Sequence, residues 1–313
     1  MPKLVVFFLF LSLSSCDQGQ AINQFTGKTM GTTYTIKSQG GQVNRLQIEE
    51  RLKQINQIFS SWDKHSELSQ VNNASIHRPI LLSTELSQVL NDSIRVHQQT
   101  DGFFDPGLGR LIDIWGFGVT KVIEKPNRAM VSQALKSSSI NLATLNGQYF
   151  IKQADIHINL SAIAKGYAVD EVTKLLVNQG VQRFMIEIGG EVKTRGSWTI
   201  GIETPDGQTP ISIELENESI ATSGNYRQYF IWEGKRYAHI LNPFTGLPDN
   251  SDLFSVSVIH QSNALADAYA TAMIAMSSKK AIKFAQRLKL KAVLILNRVD
   301  KQNSSNNIIK LGL

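Results

Sequence analysis

Ile156-His157-Ile158-Asn159-Leu160-Ser161-Ala162-Ile163-Ala164-Lys165-Gly166-Tyr167-Ala168 passes from a β-prone run straight into a helical one. Ile156 to Leu160 reads as a strand, and Ala162 to Asn178 as a helix entered directly from it. Arg183 to Ile188 reads as a second strand, broken by Gly189-Gly190. A glycine pair after a buried strand lets the backbone approach a ligand closely, and a plain turn would look the same.

Downstream, Trp198 to Glu203, Ile211 to Leu215, Gln228 to Trp232, Tyr237 to Leu241, Phe254 to Ile259 and Ala292 to Leu296 are β-prone, while Asn263 to Met276 and Lys279 to Leu288 read as helices. Upstream, Phe25 to Ser38 alternates like a strand. Leu46 to Ile58 and Thr84 to Thr100 space their apolar residues like helices, the second capped by Ser83 or Thr84. Asp101 to Gly118 holds five glycines and Pro106, yet Phe103 and Phe104 make it too aromatic for an ordinary surface loop. No composition break marks a linker. The pattern predicts one large α+β domain over residues 25–313, a mixed, largely antiparallel sheet packed against helices.

The beginning of the chain follows a different logic. Lys3, the apolar run Leu4 to Leu13 and the small residues before Cys16 have the three-part layout of a cleaved export signal. That run is shorter than the roughly 20 apolar residues needed to span a bilayer. Residues 1–15 are therefore expected to be a lipoprotein signal peptide, Cys16 the lipidated residue and residues 16–24 a tether. Cys16 is the only cysteine, which excludes intramolecular disulfides and metal–thiolate sites. The net charge of +6 is scattered, without a block resembling a nucleic-acid arm, and suits an anionic small molecule or an anionic membrane surface.

Three places carry candidate chemistry. Asp267 and Thr271 are four apart on one helical face among alanines, so a carboxylate and a hydroxyl could hold Mg²⁺ there. The plainer alternative is an aspartate near the helix dipole and a threonine bonded back to a carbonyl. At the junction from Asn159 to Ala168, backbone amides and Lys165 would meet an anion; alternatively Ser161 is an N-cap and Lys165 a solvated first-turn residue. His239, just before Asn242-Pro243, is either a core histidine or a base near neutral pH. His65, His77, His97, His157 and His260 have no second ligand at zinc spacing in the sequence.

Taken together, the motifs resemble the ApbE-type flavin transferase family of FAD:protein FMN transferases. The matching stretches, in family order, are Thr29-Met30-Gly31-Thr32-Thr33-Tyr34, Trp62 with Ser66-Glu67-Leu68-Ser69, Gly102-Phe103-Phe104-Asp105-Pro106 and Trp115-Gly116-Phe117-Gly118. Asn159 to Asp170, Glu187-Ile188-Gly189-Gly190-Glu191, Thr222-Ser223-Gly224-Asn225-Tyr226, His239 to Gly246 and Ala266 to Thr271 follow. The resemblance implies a T-fold-like domain and a Mg²⁺-dependent enzyme that moves the FMN half of FAD to a threonine hydroxyl of an acceptor protein, releasing AMP. It implies metal ligation by the Ala162 carbonyl, Asp267 and Thr271. It places FAD against Met30, Trp62, Phe103, Phe104, Asp105, Asn159, Lys165 and Leu241, with Gly189, Gly190, Ser223 and Tyr226 as neighbours, and makes His239 the base. Asn159 and Asn242 stand where the family pattern commonly has aspartate.

Two other functions stay open on the sequence: an FAD pyrophosphatase with water as acceptor, and a lipid-anchored flavin-binding protein without catalysis. The resemblance also implies acceptors among subunits of Rnf-type and Na⁺-translocating quinone reductase pumps. Asp17 after Cys16 is expected to retain the protein at the inner membrane, facing the periplasm.

Overall fold

Strands β1 (Asn23–Thr29) and β2 (Thr32–Gln39) pair antiparallel around the two-residue turn Met30-Gly31. Both turn residues have positive φ, 49° and 72°, the backbone of a primed turn whose twist matches a hairpin. The alternation from Phe25 to Ser38 is thus two strands, and β1 starts two residues ahead of the expected boundary at 25. A computed structural model describes residues 21–120, 122–205, 207, 210–226, 228–248, 251–297 and 307–313; the signal peptide and Cys16 lie outside the described residues.

The hairpin is one edge of an eight-stranded sheet among the described residues. Its order is β1-β2-β6-β7-β10-β13-β14-β15, where β6 is Arg183–Ile188, β7 Glu191–Arg195, β10 Ser219–Gly224, β13 Leu253–His260, β14 Lys291–Leu296 and β15 Ile308–Leu311. Every neighbouring pair is antiparallel. One face is covered by helices α6 (Ser161–Asn178) and α7 (Asn263–Ile274), which pack on each other and on β6, β7, β10 and β13. Phe184, Ile186, Ile188, Val256 and Val258 meet Ile163, Val169, Ala270 and Met273 in the main core. On the opposite face, the hairpin of β8 (Ser197–Ile202) and β9 (Ile211–Glu216) closes a second core of Val192, Ile213, Leu215, Ile220 and Ile259.

Helices α1 (Arg45–Phe59) and α3 (Thr84–Gln99) back α6. Arg51 of α1 ties the three, its Nη2 standing 2.7 Å from both Glu85 of α3 and Glu171 of α6. Helix α2 (Glu67–Asn73) packs on α1, α8 (Ser278–Leu288) lies against α7, and β3 (Ile80–Leu81), β4 (Ala143–Asn146) and β5 (Tyr149–Lys152) form a small separate sheet. A third core of Leu108, Leu111, Trp115, Val131 and Leu241 joins α4 (Gly109–Ile114), α5 (Arg128–Leu135) and the hairpin β11 (Tyr229–Trp232)–β12 (Lys235–Ala238). No helix among the described residues is long and apolar enough to cross a membrane.

The expected strand Ile156 to Leu160 does not form. Its apolar residues are buried, but its only ladder contact is a single bridge from His157 to Leu108. The Asn72 side chain replaces the neighbouring strand, donating to the Ile158 carbonyl at 2.9 Å and accepting from the Ile158 amide at 2.7 Å. Likewise β12 ends at Ala238, ahead of the expected run to Leu241, because the chain leaves the hairpin for the turn beginning at Asn242.

Candidate active site

Antiparallel connectivity gathers three chain reversals at one end of the main sheet. The Met30-Gly31 turn precedes β2, and β2 pairs with the end of β6, so Gly189 donates its amide to the Thr33 carbonyl at 3.1 Å. β7 then begins at Glu191, and β10 runs past it to end at Gly224. Strand alternation puts Val192 and Ile220 in the second core, so Glu191 and Ser223 face the helices.

Two helices supply the rest. Lys165, in the first turns of α6, places Nζ 2.8 Å from Glu191 Oε1 and 3.4 Å from Asp267 Oδ2. Thr271, one turn after Asp267 on α7, shares a 3.1 Å hydrogen bond with the Ser223 hydroxyl. The Gly166 amide, whose helical acceptor is the Ala162 carbonyl, also lies 3.4 Å from Asp267 Oδ2. Asp267 therefore lies between Lys165 and the Gly166 amide, and Thr271 stands one turn on with Ser223 beside it. Helix α7 is fixed at its start by Asp170 of α6, which accepts from Ser262 Oγ, Asn263 N and Ala264 N at 2.9, 2.9 and 3.1 Å.

One cation thus faces two carboxyl side chains only 3% and 4% exposed. Burial works against the charge on Lys165, but Asp267 and Glu191 outweigh it and hold its pKa above the ordinary lysine value. Burial pushes both the Asp267 and the Glu191 carboxyls up, in both cases against the pull of Lys165. Glu191, absent from the predicted site, is the residue that spacing missed; its one sequence signal is its position directly after Gly189-Gly190. Among the described residues no three His, Cys, Asp or Glu side chains gather as a metal group. A cation here needs the mixed set of Asp267, Thr271 and the Ala162 carbonyl, and these hard oxygens fit Mg²⁺. Both polar contacts of the Asp267 carboxylate fall on Oδ2 and are long, which leaves Oδ1 open to a cation.

The ApbE family model matches residues 30–294, a span holding every residue of the cluster. The chain belongs to the ApbE family. The FAD:protein FMN transferase of Haemophilus influenzae is 33% identical over 317 aligned residues, covering 94% of this chain and 92% of that protein. The protein of the same name from Vibrio cholerae serotype O1 is also 33% identical, covering 95% and 94%. The solved structure of flavin transferase ApbE from Vibrio cholerae superposes with a TM-score of 0.84 at 32% identity, over 93% of this chain and 97% of that one.

The other residues expected from the ApbE resemblance have contacts of their own. Asn159 caps its own junction, its Oδ1 accepting from Ser161 N and Oγ at 3.0 and 2.6 Å, and its amide reaches the Pro106 carbonyl at 2.8 Å. This brings the aromatic loop to the start of α6. Phe103 meets Phe244 edge-on at 5.0 Å, while Phe104 is buried. Asp105 braces the loop, accepting from Gly107 N, Ile140 N and Ser139 Oγ at 2.7 to 2.8 Å, with His97 Nδ1 at 3.4 Å. Burial raises its pKa, with His97 opposing. A cleft of about 380 Å³ opens here between His97, Asp105, Ser139 and Phe244.

Trp62 stands 69% exposed between α1 and α2, and Met30 is packed at the edge of the main core. Gly190 has φ 102° and donates its amide to Glu187 Oε1 at 2.7 Å. Tyr226 stacks on Phe254 at 4.5 Å and bonds Glu203 at 2.6 Å, toward the second core. Leu241 is a core side chain beside Trp115. His239 is half-buried, with Nδ1 3.1 Å from the Gln228 carbonyl. His97 and His157, solitary in the sequence, each gain an aspartate in space, Asp105 and Asp113.

Proposed function

We propose that this chain transfers the FMN half of FAD to a threonine hydroxyl of an acceptor protein, with AMP as leaving group and Mg²⁺ as the required cation. The observation that carries the reading is the convergence of Lys165, Asp267, Thr271 and Ser223 beside the Gly189-Gly190 turn. An ammonium and hydroxyls beside a buried carboxylate suit a pyrophosphate, whose cleavage depends on positioning and on neutralising charge.

In the proposed step, the threonine oxygen forms a bond to the FMN phosphorus and the bond from that phosphorus to the bridging oxygen breaks. The electron pair departs with AMP. The hydroxyl proton passes to His239, whose Nδ1–H is directed to the Gln228 carbonyl, so the neutral ring presents Nε2 as its basic nitrogen. Lys165 holds the phosphate oxygens from the α6 side. Mg²⁺ on Asp267, Thr271 and the Ala162 carbonyl would supply Lewis acidity to the pyrophosphate.

The test is incubation with FAD, MgCl₂ and an acceptor carrying the family-type Asp-x-x-(Ser/Thr)-Gly-Ala-Thr segment. Fluorescent flavin should remain on the acceptor after denaturing electrophoresis. Free FMN formed at the same rate with or without acceptor would point instead to a pyrophosphatase, and intact FAD to a binding protein.

The reading extends to location: Cys16 carries the lipid, the protein sits on the inner membrane facing the periplasm, and the acceptors are Rnf-type and Na⁺-translocating quinone reductase subunits. Labelled palmitate incorporated by the parent but not by Cys16→Ser, with flavin detected by mass spectrometry on those subunits only when the protein is present, is the expected result.

A further inference from the structure

We propose that Glu191 is a positioning residue that draws the Lys165 ammonium off Asp267 and so keeps the Asp267 carboxylate open to a divalent cation. This rests on the metal reading of Asp267 above. An ammonium between two carboxylates settles toward the shorter charge-assisted bond, here 2.8 Å to Glu191 against 3.4 Å to Asp267. Lys165 keeps 27% of its side chain exposed and has a third hydrogen for a ligand, so Glu191 restrains it without burying it.

Glu191 is built to hold that place. It is the first residue of β7, paired with Ile188 directly after a turn whose glycines both have positive φ, 60° and 102°. The Lys165 stem crosses that turn: a Cβ on Gly189 would stand 3.4 Å from Lys165 Cδ and 2.9 Å from Thr32. Glu191 Oε2 is buried without a hydrogen-bond partner, so besides its own backbone amide the carboxylate has Lys165 as its partner. A buried carboxylate with one oxygen unmet is costly, and restraint of the lysine is the use the geometry offers for it. Without Glu191, the remaining carboxylate for Lys165 is Asp267, and an incoming cation would have to displace the ammonium.

The experiment is a titration of the flavin-free protein with Mn²⁺, free Mn²⁺ being read by electron paramagnetic resonance. Glu191→Gln should weaken Mn²⁺ binding at least tenfold, and Glu191→Asp, which keeps the charge but retracts it, should also weaken it. In a Lys165→Met background neither change should matter by more than twofold. An equal loss in both backgrounds would mean that Glu191 acts on the cation directly and overturns the proposal, as would unchanged binding in both single variants. If Glu191→Gln fails to fold, Glu191→Asp alone decides the comparison. Asp267→Ala separates the two readings: parent-like Mn²⁺ binding sinks the metal assignment itself, whereas loss there with unchanged Glu191 variants sinks only this proposal.

Discussion

Gly166 of α6 lies against Asn263 of α7 with no room for a side chain: a Cβ on Gly166 would stand 2.4 Å from the Asn263 carbonyl oxygen. The close approach sets the separation between the helix that carries Lys165 and the helix that carries Asp267. Gly166→Ala must push the helices apart, and overpacking of this kind costs about 1–3 kcal/mol. Urea unfolding should show that loss as a lower midpoint. FMN transfer should fall by more than the unfolded fraction explains; parent-like transfer would show that the helix spacing is not critical.

Asp170, one turn after Gly166, fixes the same pair of helices by accepting three hydrogen bonds at the start of α7. Asp170→Ala leaves those amides without their cap, a loss of about 0.5–2 kcal/mol for an N-cap. Asp170→Asn keeps an oxygen acceptor and should recover part of it. Denaturant midpoints for the two variants check the order.

The α7 contribution was legible because Asp267 and Thr271 belong to one continuous helix, where an i, i+4 spacing maps directly onto a face. Lys165–Glu191 and Ser223–Thr271 were not, since each depends on which strands neighbour one another and in what register, 26 and 48 residues apart in the chain. β7 and β10 are short, and polar Glu191, Ser219 and Ser223 hold helix-facing positions with only Ala221 apolar among them in β10, so no alternation of apolar side chains marks these strands. The Ile156 to Leu160 run misled because its hydrophobicity is that of a buried strand, while its backbone is satisfied by the Asn72 side chain. Edge strand β15 lies beyond the polar segment from Lys301 to Asn307 and is only four residues long, too short for a periodic signal.

Met30 also hid a turn, because methionine is a poor choice at φ 49° in a two-residue hairpin. A non-glycine residue in the left-handed region costs about 1–2 kcal/mol. Met30→Asn should therefore raise the melting temperature, while the loss of the thioether side chain weakens FAD binding. Equilibrium titration of FAD alongside a thermal melt tests both; a variant more stable and equally tight would show that the side chain does not serve the ligand.

His260 gives stability a pH dependence. Burial lowers its pKa below the ordinary histidine value, with Asp170 opposing and Lys193 reinforcing the shift. Because the unfolded chain takes up the proton first as pH falls, stability is full above about 6.5 and declines below it until the folded ring protonates too. The slope is at most about 1.4 kcal/mol per pH unit for one proton. His260→Gln should flatten the urea-midpoint profile between roughly pH 6.5 and 5; an unchanged profile would assign that slope to other groups.

His239 sits on the connection that leaves β12, and Phe117 meets its ring edge-on at 6.2 Å. The Gln228 carbonyl only accepts, so the 3.1 Å contact fixes the proton on Nδ1 and the lone pair on Nε2. His239→Gln should leave FAD affinity within about twofold, yet lower transfer to the acceptor by about 10²–10⁴, the usual contribution of a general base. A variant that loses FAD affinity and transfer in proportion would place His239 in the binding surface and leave the hydroxyl to another base.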